Sequence, residues 1–200
     1  MTNEINDKAY WNQFIGSLCK SIKDIESRYF QIERYKENLT WRERAYCYEL
    51  YYQLRDNLKK FDFPYTLHGE IDKRGHGIIC KKFKNKPNPD FVVHNPGTES
   101  NLVIMEVKPS DRIRKGNFEN DMKKLKIFIN DVSYRNGIFL IYGSDDPHLE
   151  KYKAIFKNIS ELLEDKKLLI LWHNEVGKSP CYYSHSDNNW IPVVDQNRLF

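Results

Sequence analysis

The chain reads as an α/β domain, a mixed central β-sheet flanked by helices and preceded by a long amphipathic helix. Three observations predict this. Apolar residues recur at helical spacing from Trp11 to Ile32 and again from Tyr46 to Leu58; from Phe63 the apolar period drops to two; beyond Pro109 helical and strand patterns alternate. Two helices, a β-meander and then strand–helix units predict antiparallel strands first and parallel strands later, with helices on both faces. Two hundred residues, 40% of them hydrophobic, suffice for one core.

The elements follow in order. Trp11, Ile15, Leu18, Ile22, Ile25, Tyr29 and Ile32 step by four and three alternately, which predicts one helix over about residues 8–36. Such a seam serves either packing on the chain's own domain or a homodimer through that helix. Thr40-Trp41-Arg42-Glu43 has the form of a capping box, so a second helix is expected to start there and run to about Lys59. Its stripe is Tyr46, Leu50, Leu54 and Leu58, and Glu49 falls on the margin, where it can face a cleft. Residues 65–72 read as a strand, 73–77 as a turn and 78–83 as the returning strand. A second hairpin, 90–94 with 102–108, turns at Asn95-Pro96-Gly97. A helix about Phe118 to Val132, a strand over 137–142, a helix over 147–164 and a strand over 167–173 complete the core. The domain division is 1–38 for the helical extension, 39–175 for the core and 176–200 for a loop-like tail with a hairpin near Asp187-Asn188-Asn189.

Composition narrows the function. The longest uninterrupted apolar runs, 138–142 and 168–172, are far shorter than the roughly 20 residues that span a bilayer, so no membrane partner is expected. The first residues lack the basic and apolar regions of a signal peptide, which makes the cytoplasm the expected location. Cys19, Cys47, Cys80 and Cys181 have neither disulfide nor zinc spacing and read as buried thiols. A net charge of +4 permits a polyanionic partner.

The chemistry concentrates in the second hairpin. Glu106 and Lys108 are two apart on one strand and share a face. Closing the hairpin symmetrically about Thr98 sets Asp90 opposite Glu106, Val92 opposite Ile104 and His94 opposite Leu102, with opposed Cβ atoms about 5 Å apart. Two carboxylates so close repel unless a cation lies between them. Oxygen ligands of this kind suit Mg²⁺ or Mn²⁺, with a backbone carbonyl such as that of Val107 completing the shell. Lys108 can then reach a metal-bound water or the phosphate it attacks. Val103, Ile104, Met105 and Val107 mark a strand covered on both faces, where charge is costly without a purpose.

Outside the hairpin the readings stay open. Lys73, Arg74, Lys81, Lys82, Lys84 and Lys86 run without an intervening acid, which makes either a surface for a nucleic-acid backbone or a solvated basic hairpin. No aromatics interleave them in a way that indicates base stacking. Asp121, Lys123 and Lys124 either help position phosphate or form a solvated helix face. His185 and Asp187 look like an acid–base pair, without geometric support from their loop setting.

Pro89-Asp90 followed by Glu106-Val107-Lys108 at a strand end resembles the PD-(D/E)xK nuclease superfamily, the restriction endonuclease-like fold. The resemblance covers about residues 40–173 and implies an α-β-β-β-α-β core. It implies that Asp90 and Glu106 hold Mg²⁺ or Mn²⁺, that Lys108 activates water, and that Glu49 on the first core helix joins the metal site. In layout the chain looks most like the branch of Holliday-junction resolvases and defence nucleases. Some members of that branch carry a basic or hydroxyl residue on the first strand, whereas here His68 and Glu70 share a face; Glu70 is either a further ligand or a salt-bridge partner. The implied function is a magnesium-dependent endonuclease acting on DNA in restriction or anti-phage defence, with a partner protein for target selection left open. Two alternatives stand beside it: a non-catalytic nucleic-acid-binding or partner-docking module, against which the intact Asp90, Glu106 and Lys108 argue, and an RNA endonuclease resembling the cap-snatching enzymes of segmented viruses, which carry a His where Glu49 sits.

Overall fold

The computed structural model describes residues 2–34, 37–70, 88–157 and 167–193. Its helical layer begins with α1 (Thr2–Lys23), which lays Phe14, Ile15, Leu18 and Ile22 against Leu50 and Leu54 of α3 (Glu43–Leu58). Each of these side chains is buried. A polar stitch fixes the crossing: Ser21 Oγ donates to the Ser17 carbonyl at 2.6 Å and accepts from Asn57 Nδ2 at 2.9 Å. The heptad-like seam therefore serves the chain's own core, the first of its two readings, and leaves a homodimer through α1 without that apolar surface.

The single helix expected over 8–36 needs correction. α1 stops at Lys23, a one-turn helix α2 (Ser27–Phe30) follows, and Ile32 lies in β1 (Ile32–Arg34), paired antiparallel with β2 (Glu37–Thr40). Burial accounts for the break. Ile25 drops into the core and Phe30 enters an aromatic pocket, its ring edge-on to His173 at 4.9 Å and to Tyr142 at 6.1 Å. Tertiary burial of two side chains outweighs the continuation of a periodic pattern.

The main sheet has seven strands in chain order: β3 (Thr66–Gly69), β4 (Phe91–His94), β5 (Asn101–Pro109), β6 (Tyr134–Tyr142), β7 (Leu168–His173), β8 (Cys181–Ser184) and β9 (Asn189–Pro192). β3, β4 and β5 are antiparallel, β5, β6 and β7 parallel, and β7, β8 and β9 antiparallel again. The mixed sheet with early antiparallel and later parallel strands is as expected. The tail does more than loop, because its hairpin supplies the last two strands and buries Trp190 against Phe156 and Trp172. The expected turn at 73–77 and strand at 78–83 lie outside the described residues, as does the second half of the helix expected over 147–164.

The predicted hairpin register holds where it matters. Phe91 pairs with Met105, Val92 with Ile104 and Val93 with Val103; a shift at His94 then pairs it with Asn101 rather than Leu102. Alternation sends Phe91, Val103, Met105 and Val107 toward α1 and α3, and Val92 and Ile104 toward α4 (Lys115–Asp131) and α5 (Glu150–Lys157). Both faces of β5, β6 and β7 are covered, which explains their near-continuous apolar sequences. Gly137 admits α4 closely, since a Cβ there would meet Ile129 Cδ1 and Leu168 Cδ1 at 2.9 Å.

An aromatic knot ties α3 to the C-terminal ends of β6 and β7. Tyr46 stacks on Tyr142 at 3.9 Å between centroids, and its hydroxyl lies 3.0 Å from His173 Nδ1. His173 Nε2 lies 3.0 Å from the Glu175 carbonyl, which can only accept, so Nε2 carries the proton and Nδ1 accepts from Tyr46. Burial pulls His173 down to about 4, and the ring is neutral. Among the described residues no helix is long and apolar enough to cross a membrane.

The α1–α3 interface yields a stability prediction. Leu18→Ala removes a fully buried side chain between helix and sheet and should cost about 2–5 kcal/mol in urea unfolding. Deleting residues 1–38 should give an aggregating chain without cooperative unfolding, measured by gel filtration and circular dichroism, because it strips the cover from Leu50 and Leu54.

Candidate active site

Four elements converge at the C-terminal end of β5. Asp90 immediately precedes β4, and its Oδ2 accepts the Val107 backbone N–H at 2.7 Å. The Asp90 carbonyl in turn accepts the Glu70 N–H at 3.0 Å, so both ends of the residue are fastened. Within a strand, the N–H and C=O of one residue point to the same side, so the Val107 carbonyl also faces the Asp90 side. By the register its opposite number is Pro89, which has no N–H to offer.

Glu106 is 2% exposed in an otherwise apolar layer. Lys124 of α4 brings its Nζ to 2.5 Å from Glu106 Oε1, a close ion pair inside the apolar layer. Lys108 turns the other way over the strand end. Its Nζ lies 3.3 Å from Oε2 of Glu43, the first residue of α3, and 4.0 Å from Asp90 Oδ2. Arg112 Nη1 lies 3.9 Å from the same Glu43 oxygen.

Burial dominates the electrostatics. It pushes Glu106 up to about 8 against the opposing pull of Lys124, and Asp90 up to about 6 against Lys108 and the Val107 N–H. Burial lowers Lys108, yet Asp90, Glu43, Glu106 and Asp121 together outweigh it and hold the ammonium above its usual range. Burial also raises Asp121. The two central carboxylates thus lack sufficient positive charge, and Lys108 stays charged.

This donor set fits a hard divalent cation. Asp90 and Glu106 supply two buried carboxylates, and the Val107 carbonyl faces the Asp90 side of the strand. Among the described residues no group of three His, Cys, Asp or Glu side chains gathers to hold a metal, so the rest of a shell would come from backbone and water. Two cavities open on either side of the cluster. One, of about 290 Å³, is polar and lined by Glu43, Lys108, Arg112, Asn117, Asn120 and Asp121; the other, of about 430 Å³, is lined by Cys47, Tyr48, Tyr51, His68, Glu70 and Asp90. A further cavity of about 390 Å³, at the far end of α3, has no carboxylate in its described lining.

The structure brings together Asp90, Glu106, Val107 and Lys108 but does not bring Glu49 to them. Glu49 accepts from Gln53 Nε2 at 2.7 Å, and its charge acts on Arg28 of α2. Six residues from Glu43, it projects about 120° away around α3, and Glu43 is the helix acid at the cluster. The capping box is also corrected: Thr40 belongs to β2, Arg42 is the N-cap without a side-chain bond, and Glu43 spends its carboxylate on Lys108. An ion pair with a largely buried ammonium outcompetes a solvated cap.

Glu70 ends β3 in a left-handed conformation, φ 47°, and its exposed carboxylate meets Arg44 at 3.5 Å, the salt-bridge reading, while also bordering the Asp90 cavity. His68 leaves Glu70 and bonds to His94, Nδ1 to Nε2 at 3.1 Å. Lys73, Arg74, Lys81, Lys82, Lys84 and Lys86 lie outside the described residues, as does Cys80. Cys19 and Cys47 are buried free thiols and Cys181 is half-buried. Asp187 binds Ser184 Oγ at 2.5 Å in the tail turn, and His185 lies edge-on to Tyr183, which accounts for both without catalysis. Sequence reasoning missed Glu43, Arg112 and the role of Lys124; only the position of Lys124 beside the stripe residue Leu125 hinted that it could turn inward.

A comparison with protein families, with characterised proteins and with solved structures finds no match to this chain.

The raised carboxylates make stability depend on pH in a definite sense. Their folded values lie above the ordinary ones of 3.8 and 4.5, so folding favours the protonated forms. That stability is complete below about pH 4 and is lost as pH rises toward 8. In EDTA, Glu106→Gln should be more stable than the parent at pH 8 by about 1–3 kcal/mol, and equal to it near pH 4, measured by urea unfolding.

Proposed function

We propose that this chain is a divalent-metal-dependent endonuclease that hydrolyses phosphodiester bonds in DNA. The observation that supports it most is the meeting of Asp90, Glu106 and Lys108 at one strand end, in a layer that is otherwise apolar. Asp90, Glu106 and the Val107 carbonyl would hold Mg²⁺ or Mn²⁺, which supplies Lewis acidity and a more acidic bound water. Lys108, kept charged by its acidic neighbours and steered by Glu43, sits at the mouth of the polar cavity, where it offers positive charge to a phosphoryl group. Arg112, Asn117 and Asn120 line the same cavity and provide donors for the non-reacting oxygens. A non-catalytic module has no use for this arrangement, since burying two acids beside three cations costs stability that apolar residues would not. DNA as substrate, and a role in restriction or defence, follow from the resemblance to resolvases and defence nucleases.

The test separates binding from chemistry. Calorimetry should show Mn²⁺ binding that Asp90→Ala and Glu106→Ala each abolish. Incubation with plasmid, linear DNA, branched DNA and RNA, each with Mg²⁺, Mn²⁺ or EDTA, should give metal-dependent cleavage of DNA. Lys108→Ala should bind Mn²⁺ and DNA within a few-fold of the parent yet cut roughly 10²–10⁴ slower in single turnovers. Lys108→Arg should recover little, because a planar guanidinium replaces a compact ammonium poorly. Cleavage by Lys108→Ala at the parental rate would sink the assignment.

A further inference from the structure

The cations around the cluster are not equivalent. Lys108 and Arg112 both lean on Glu43, which remains partly open to solvent. Lys124 instead sits on Glu106, the most deeply buried of the acids, and only 19% of its own side chain is exposed. We propose that Lys124 is the resident counter-ion of Glu106, standing where a divalent cation must bind, and that metal loading requires this ammonium to withdraw. The proposal rests on the reading of Asp90 and Glu106 as metal ligands.

Charge and geometry carry it. When Glu106 is ionised so deep in the layer, positive charge beside it offsets much of the cost of its burial. A lysine can supply that charge and still leave, since its flexible four-carbon stem swings without backbone motion, whereas an arginine fork would be held by paired hydrogen bonds. The Lys124–Glu106 contact is an ion pair, and an incoming divalent cation replaces the charge that withdrawal removes from Glu106. A landing place exists: Asp121 lies one turn back on α4 and already feels the Lys124 charge. Whether an incoming Mn²⁺ displaces a proton or nothing from Glu106, it adds at least one positive charge beside Lys124, and an ammonium that stayed would oppose it. Lys123, the exposed neighbour, has no part in this exchange and serves as the control.

The experiment titrates Mn²⁺ alone into metal-free full-length parent, Lys124→Gln and Lys123→Gln by calorimetry, with thermal unfolding of each in EDTA and in Mn²⁺. Glutamine keeps a neutral donor near Glu106. Lys124→Gln should melt below the parent in EDTA, bind Mn²⁺ roughly ten- to a hundredfold more tightly, and show the larger Mn²⁺-induced rise in Tm. Lys123→Gln should match the parent. Lys124→Arg, which preserves the charge and folds without an unpaired acid, should bind Mn²⁺ more weakly than the parent, and keeps the proposal testable should Lys124→Gln fail to fold. Parental or weaker Mn²⁺ affinity in Lys124→Gln, or tighter binding in Lys124→Arg, overturns the counter-ion role alone. Absence of Mn²⁺ binding from the parent and every variant overturns the metal reading beneath it.

Discussion

A carboxylate inside the apolar layer at the end of β5 sets conditions that much of the surrounding structure meets. Glu106 has buried neighbours on both sides in the strand, so positive charge has to be delivered to it through the packing. α4 does this by lying close over the sheet, and Gly137 is what permits the approach, because any side chain there would press on Ile129 and Leu168. Just before the adjacent strand, Asp90 is clamped to the Val107 N–H, beyond the last backbone pair, Phe91 with Met105. On its other edge β5 stays paired with β6 through Glu106 and Lys108, so the acids sit where only the β4 side of the strand has opened.

The two apolar layers contribute differently to this arrangement. On one face, α3 is anchored by Tyr46, whose ring stacks on Tyr142 and whose hydroxyl is received by a neutral His173. Tyr46 lies three residues beyond Glu43, so the knot also sets where Glu43 can reach, and with it the position of the Lys108 ammonium. On the other face α4 supplies Lys124 and Asp121. Charged side chains from opposite layers thus meet around the strand end, each held by a rigid element rather than by a loop, which suits a site that must be preorganised.

How much of this was legible depends on whether a residue's role was local. The hairpin register from Phe91 to Val93 followed from alternation and a symmetric loop, and both are local properties. The fold class followed from periodicity. What failed was long-range. The four-and-three spacing runs on through Ile25, Tyr29 and Ile32, yet burial of Phe30 beside His173, more than a hundred residues away in sequence, ends the helix early. Glu43 completes a capping motif by its spacing, and only the arrival of Lys108 from β5 reassigns it. Glu49 alone looked suited to the site, on the stripe margin; the rotation of α3 against the sheet brings Glu43 there instead. Lys124 is written like any solvated helix lysine, and its place beside Leu125 hints at an inward turn without recording the buried acid it meets.

The order of the strands carries a consequence for how the chain assembles. Among the described strands, every hydrogen-bonded neighbour in the seven-stranded sheet is also the next in sequence, so each addition closes a comparatively short loop. A chain emerging from the ribosome can therefore extend the sheet progressively from its amino-terminal side. The acids of β4 and β5 remain hydrated during that growth, because the apolar cover over Glu106 closes only when α4 docks on β5 and β6. Dehydration of the charged cluster is thus tied to the docking of α4, the segment that joins β5 to β6.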